Sequence, residues 1–155
     1  MDPDLVFSVC NNGVLVFWAL LALAPRWSGT QWLVHSALIP ALFGTVYLVS
    51  IWVGFLGGGA PEGAGFFSLP AVMAFFTQPE AALAGWVHYL VFDLFIGAWE
   101  VRDAQRRGIP HLAVLPCLFF TLMLGPVGLL AYLALRAVLR RTVRLDETAD
   151  LADAS

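Results

Sequence analysis

The sequence predicts an all-α membrane protein: a bundle of four transmembrane helices with a short interfacial or re-entrant helix between the second and third. Three observations carry that expectation. Sixty per cent of the 155 residues are hydrophobic, 12% are charged and the mean hydropathy is +0.81. A soluble domain of this size cannot hide so much apolar surface, because small domains keep much of their area exposed. Four runs reach the roughly 20 apolar residues that a helix needs to cross a hydrocarbon core: 5–24, 32–56, 81–99 and 112–135. The first, second and fourth of these contain no Asp, Glu, Lys or Arg.

Residues 1–143 are expected to form one integral membrane domain, followed by an acidic, disordered tail over 144–155. The opening MDPDLVFSV has two acids and no basic residue. A secretory signal wants a positive n-region and a transit peptide wants Arg and Ser without acids, so the first run is expected to be a retained span. Span two follows a short turn, APRWSGTQ, which makes spans one and two antiparallel neighbours. After GGGAPEGAG, the apolar piece Ala71–Phe76 is too short to cross and is expected as the interfacial or re-entrant helix, within Leu69–Phe76. Gly108 and Pro110 stop the third helix. Pro116 and Pro126 remove backbone donors from the fourth, so a kink is expected near GPVG.

All eight basic residues are Arg, a bias of GC-rich bacterial coding that suggests a bacterial inner membrane. With four spans, Arg26, Arg102, Arg106 and Arg107 lie on one side and Arg136, Arg140, Arg141 and Arg144 on the other. The positive-inside rule then returns a tie and leaves orientation open. The net charge of −3 comes largely from the tail, leaving no nucleic-acid footprint. Cys10 and Cys117 lie in different spans and form no Cys-x-x-Cys motif; both read as small buried thiols.

The third run carries the chemistry. Wound at 100° per residue, Ala82, Trp86, Tyr89, Asp93, Gly97 and Glu100 share one face, and His88 lies opposite. His88 and Asp93, five positions apart, diverge by about 140° and cannot form a dyad on one helix. Both lie only about 3 to 5 Å from the middle of the span. A charged Asp there costs roughly 2.5 to 3.5 kcal/mol, so it is expected to face the bundle interior with a polar partner. Asn12 of span one is the favoured partner, among candidates that include Asn11, Tyr47, Thr121 and Tyr132. Asp93 is then either a proton donor and acceptor in a dry pocket or interhelical glue. His88 is either a second proton-moving group or a neutral imidazole bonded to a neighbour. His35 and His111 read as interfacial, and Asp103 with Arg106 and Arg107 as ion pairs on a solvated helix end. No pair of ligating residues has a dedicated metal spacing such as His-x-x-x-His, so no metal or cofactor is expected.

The run AGWVHYLVFDLFIGAWEVRD, followed by PHLAVLPCLFFTLMLGPVGLLAYLALR, resembles the abscisic-acid-deficiency protein 4-like family, small plant membrane proteins required for neoxanthin formation. FSVCNNGVLVFWALLALAP resembles that family's first span. The likeness covers nearly all of 5–136. Its most specific elements are Trp86-x-His88-x-x-x-x-Asp93-Leu94-Phe95 and Gly125-Pro126-x-Gly128. Plant members carry an Arg shortly after Asp-Leu-Phe, where this chain has Ile96, Gly97 and Ala98. The resemblance implies a role in xanthophyll metabolism. It points to a cofactor-independent isomerase or epoxide-opening enzyme acting on a carotenoid or isoprenoid lipid, with Asp93 and His88 as the catalytic positions able to move protons. Asn12, Trp86, Tyr89, Glu100 and Thr121 are the expected binding residues. The alternative is a non-catalytic pigment- or lipid-binding membrane component that supports an enzyme complex. Membrane lipid is the expected surrounding partner, and oligomeric state is left open.

Overall fold

The computed structural model describes residues 2–145. The acidic tail expected over 144–155 falls, from residue 146 onward, outside the described residues. Among the described residues the chain forms seven α-helices and no strand: α1 Pro3–Leu23, α2 Ser28–Leu33, α3 Leu38–Gly58, α4 Leu69–Phe75, α5 Pro79–Arg106, α6 His111–Leu124 and α7 Pro126–Arg140.

Local signals set the helix ends. Asp2 accepts from the Asp4 amide at 3.1 Å and Pro3 opens α1, so orphan donors of the first turn are satisfied or absent. Ser68 caps α4 by accepting from the Ala71 amide, and Pro79 opens α5. Gly108, at φ +62, ends the α5 turn in the left-handed region before Pro110.

α5 is the central post. α1 runs parallel to it, with Phe7 and Asn11 beside Trp86, Trp18 against Gly97, and Gln105 donating to the Pro25 carbonyl. α3 runs antiparallel, with Gln78 donating to the Gly54 carbonyl, Tyr47 beside His88, and the His35 that precedes α3 beside Arg102. Buried Val14, Trp18, Leu21, Leu90, Leu94, Val101, Leu118 and Tyr132 make the core between α1, α5 and the last two helices. The outward faces are also apolar: Leu5, Val16, Leu48, Trp52, Phe95, Phe119 and Leu130 are all exposed.

Four continuous spans are not what forms. α1 and α5 are long and apolar enough to cross a membrane; α3, apolar from Leu38 to Gly54, and α6 are shorter apolar helices. The second run starts with the separate turn α2 and breaks at His35–Ser36, where Ser36 turns its hydroxyl onto the Leu33 carbonyl. The fourth run is not a kinked helix but a hairpin. Gly125 adopts φ +47, ψ −96, which an L side chain rarely takes, and Pro126 starts α7 without needing an amide donor. The chain reverses so tightly that a Cβ on Gly128 would overlap the Thr121 backbone. α7 therefore returns along α6, and Arg140 reaches the carbonyl of Gly108, just before α6 begins. The 14 residues of α6 rise about 21 Å, half the length of α5, so the hairpin tip stops halfway up the post.

The expected short helix between the second and third runs is present as α4, with no buried residue of its own. The ring of Phe76, which caps its C-terminal end, nevertheless lies over Gly85 of α5, within 2.5 Å of where a Cβ would sit.

Between α2 and α3, His35 accepts through Nδ1 from Arg102 at 3.0 Å. Burial first, and the Arg102 charge second, pull its pKa down to about 4 from the ordinary 6.5. Because the folded value lies below the unfolded one, the contribution of neutral His35 to stability is full above pH 6.5. It declines as pH falls toward 4, since the unfolded chain takes up the proton first. Thermal unfolding in detergent is expected to show that decline, and His35→Gln to flatten it; equal slopes in both proteins would refute the assignment.

Candidate active site at the hairpin tip

The tip of the α6–α7 hairpin rests on Asp93. A Cβ added to Gly125 would meet Asp93 Oδ1 at 2.7 Å, so only glycine lets the turn sit there. Tyr89, one turn before Asp93, donates to the Leu122 carbonyl at 3.1 Å. Asp93 Oδ2 is buried and has no partner among the described residues. Among the described residues no arginine is paired with it.

Two turns further along α5, Glu100 is fully buried. Its Oε1 lies 2.9 Å from Thr121 Oγ1, which is also 2.9 Å from the Cys117 carbonyl, and its Oε2 has no partner. Asp93, Glu100, Tyr89 and Thr121, all expected site residues, are therefore brought to one seam between α5 and the hairpin. Trp86 extends it: its ring stacks on Tyr89 at 5.2 Å and meets Phe7 at 5.7 Å, while its indole N–H donates to Asn11 at 3.2 Å. Because the hairpin ends at Asp93, the upper half of this face is uncovered. A groove of about 350 Å³ runs there between the starts of α1 and α5, walled by Phe7, Ala82 and Trp86.

Two expected residues are elsewhere. Asn12 is exposed and donates to the Ser8 carbonyl of its own helix, so it is not the partner of Asp93. Its neighbour Asn11 is the one that faces α5. His88 projects from the other side of α5, its ring 4.5 Å from Phe92 and 6.1 Å from Tyr47. It lines a separate aromatic cleft of about 330 Å³ formed by α3, α4 and α5. The structure keeps His88 and Asp93 apart, as their angular separation on one helix requires.

The expectation of a solvated end at Asp103 is corrected. Asp103 is 1% exposed and Arg136 is 1% exposed. Asp103 Oδ2 accepts from Tyr132 at 2.7 Å and Arg136 at 3.2 Å, and Oδ1 accepts from Arg107 at 2.9 Å and Arg106 at 3.4 Å. Arg136 also lies over the Trp99 ring at 5.8 Å. Sequence spacing shows only the i, i+3 and i, i+4 partners on α5. Tyr132 and Arg136 arrive through the hairpin, whose only trace in the sequence is Gly125-Pro126-x-Gly128.

The ABA DEFICIENT 4-like family model matches residues 5–132. Protein ABA DEFICIENT 4, chloroplastic, of Arabidopsis thaliana is 24% identical over 143 residues, covering 86% of this chain and 61% of that protein. The chain thus spans about three fifths of the relative's length. No solved structure matches. The chloroplastic relative overturns the bacterial inner-membrane location: an excess of Arg over Lys reflects coding composition and carries no information about compartment. The match runs from the first turns of α1 through the hairpin to Tyr132, and the chain belongs to the ABA DEFICIENT 4-like family.

Proposed function

We propose that this protein works within a lipid bilayer on a xanthophyll-type carotenoid or related isoprenoid lipid, as a cofactor-independent isomerase that opens an epoxide. The observation that carries the proposal is the Asp93 carboxyl, with one buried oxygen unpartnered among the described residues, two turns along α5 from Trp86, which walls the apolar groove. The apolar outer faces of α1, α3 and α5 suit lipid. In this reading those three helices cross, and the hairpin is re-entrant. Irregular backbone at membrane depth is tolerated where protein covers it, as α5 covers Gly125 here.

The chemistry needs only one titrating group. In its acid form Asp93 protonates the epoxide oxygen, and the C–O bond breaks with its electron pair going to oxygen. The positive charge spreads along the polyene, where the π-faces of Trp86 and Tyr89 stabilise it. The Asp93 carboxylate then removes the proton from the neighbouring carbon. That C–H electron pair becomes the new double bond, and the acid is regenerated without redox change. His88, from its separate cleft, is not required.

A second reading has its own support. The aromatic cleft at His88 lies apart from the acids, as a non-catalytic pigment- or lipid-binding component would have it, with Asp93 as glue for the hairpin.

Pigment analysis of a deletion strain complemented with variants separates the two. Asp93→Asn keeps the shape but cannot exchange a proton, and is expected to lower conversion at least ~100-fold, the usual scale of general acid–base catalysis. Its accumulation in the membrane should match wild type, and His88→Gln should convert normally. Normal conversion by Asp93→Asn would reject proton transfer by this residue, and an unchanged pigment profile on deletion would reject the carotenoid substrate.

A further inference from the structure

The hairpin changes what the charges of this chain can do. With α7 folded back, Arg136 reaches Asp103 and Arg140 reaches the Gly108 carbonyl, so the end of α7 lies beside the end of α5. Arg26 follows Pro25, whose carbonyl accepts from Gln105, and Arg102 contacts His35. All eight arginines of the chain therefore gather at one end of the bundle. The opposite end carries Asp2, Asp4, Glu62 and Glu80, and no basic residue.

We propose that the arginine-bearing end is a contact surface for anionic phospholipid headgroups, which holds the protein with that end toward the negatively charged side of its membrane. The inference rests on the bilayer reading above. Charge complementarity is the first argument: basic residues close to helix ends are attracted to anionic leaflets and set orientation, whereas acids contribute little. At least five of the arginines are turned in part to groups of the protein itself, among them Arg102 to His35, Arg106, Arg107 and Arg136 to Asp103, and Arg140 to Gly108. Arg26, Arg141 and Arg144 are exposed and make the outward layer. The second argument is independent. Trp27 and Trp32 at the same end are 58% and 69% exposed, as tryptophans at the headgroup level are. Chemically the partner is a phosphate-bearing lipid with net negative charge.

The hairpin also dictates a topology that four spans would not. Three crossings and a half-depth return put the start of α1 and the end of α7 on opposite faces of the membrane.

The test uses the full chain with Cys10 and Cys117 replaced by alanine. Cysteines introduced as Asp4→Cys and, separately, Leu145→Cys should label with a membrane-impermeant maleimide from opposite sides. Labelling from the same side would overturn the topology. For the lipid surface, the protein is exchanged into phosphatidylcholine with and without phosphatidylglycerol, and retained phosphatidylglycerol is measured after purification. Wild type should be enriched in it, and the combined Arg26→Gln, Arg141→Gln and Arg144→Gln variant should lose about fivefold per arginine, with unchanged thermal unfolding. Equal retention by wild type and variant would overturn the headgroup contact. So would a rise in retention when the chain is cut after Leu145, because the acidic tail would then be the occupant. Neither readout depends on turnover, so a failure of the epoxide chemistry leaves both interpretable.

Discussion

Asp103→Asn is expected to be among the most destabilising single changes in the protein. The carboxylate answers three arginines and the Tyr132 hydroxyl, and the Arg107 and Arg136 side chains are 3% and 1% exposed. Asparagine keeps the volume but removes the counter-charge that the buried Arg107 and Arg136 guanidinium groups share. Removing one partner of a buried pair costs about 3 to 5 kcal/mol. Much of that cost belongs to the buried Arg136 cation that loses its counter-charge, so Asp103→Leu combined with Arg136→Met should recover part of the loss. Thermal unfolding of Asp103→Leu, Arg136→Met and the double variant gives the coupling energy directly. Strictly additive losses would show that Asp103 and Arg136 do not hold each other.

Gly128→Ala should damage the fold by a different route. The added carbon would overlap the backbone N, Cα and Oγ1 of Thr121, and backbone cannot swing aside as a side chain can. Overpacking ordinarily costs about 1 to 3 kcal/mol; here the hairpin has to open, which also pulls Thr121 from Glu100. Low yield of folded protein and an early melting transition are the expected measurements. Gly44→Ala and Gly13→Ala, where an added Cβ meets nothing within 4 Å, should behave as wild type. A Gly128→Ala protein as stable as those two would refute the tight turn.

Both predictions depend on contacts that join α5 to α7, which is where sequence reasoning ran out. Reading 112–135 as one span follows from its unbroken apolarity, and hydropathy does not distinguish a crossing helix from two shorter ones folded together. Pro126 argued for a kink. The difference between a kink and a reversal is the ψ of −96 at Gly125, a backbone choice held by the Gly125 amide donating to the Thr121 carbonyl, with Asp93 packed beneath it. The same limit explains Asn12. Asn11 and Asn12 are adjacent on α1, about 100° apart around its axis, and only the packing of α1 on α5 decides which of them faces Trp86.

Other features were legible because a single helix contains them. The face that groups Trp86, Tyr89, Asp93, Gly97 and Glu100 follows from 3.6 residues per turn, as does the divergence of His88, and the structure keeps both. The apolar composition, the α4 helix after the glycine-rich break, and the stop at Gly108–Pro110 are likewise consequences of local chemistry. Family membership was legible in the Trp86–Phe95 motif. What surrounds that face was not: the orphaned oxygens of Asp93 and Glu100, the cluster centred on Asp103, and the gathering of every arginine at one end all follow from where the last two helices lie. Periodicity fixes the angle of a residue on its own helix. The neighbour it meets is set by side-chain packing and by the few glycines that let two backbones touch, and only the tertiary structure decides that.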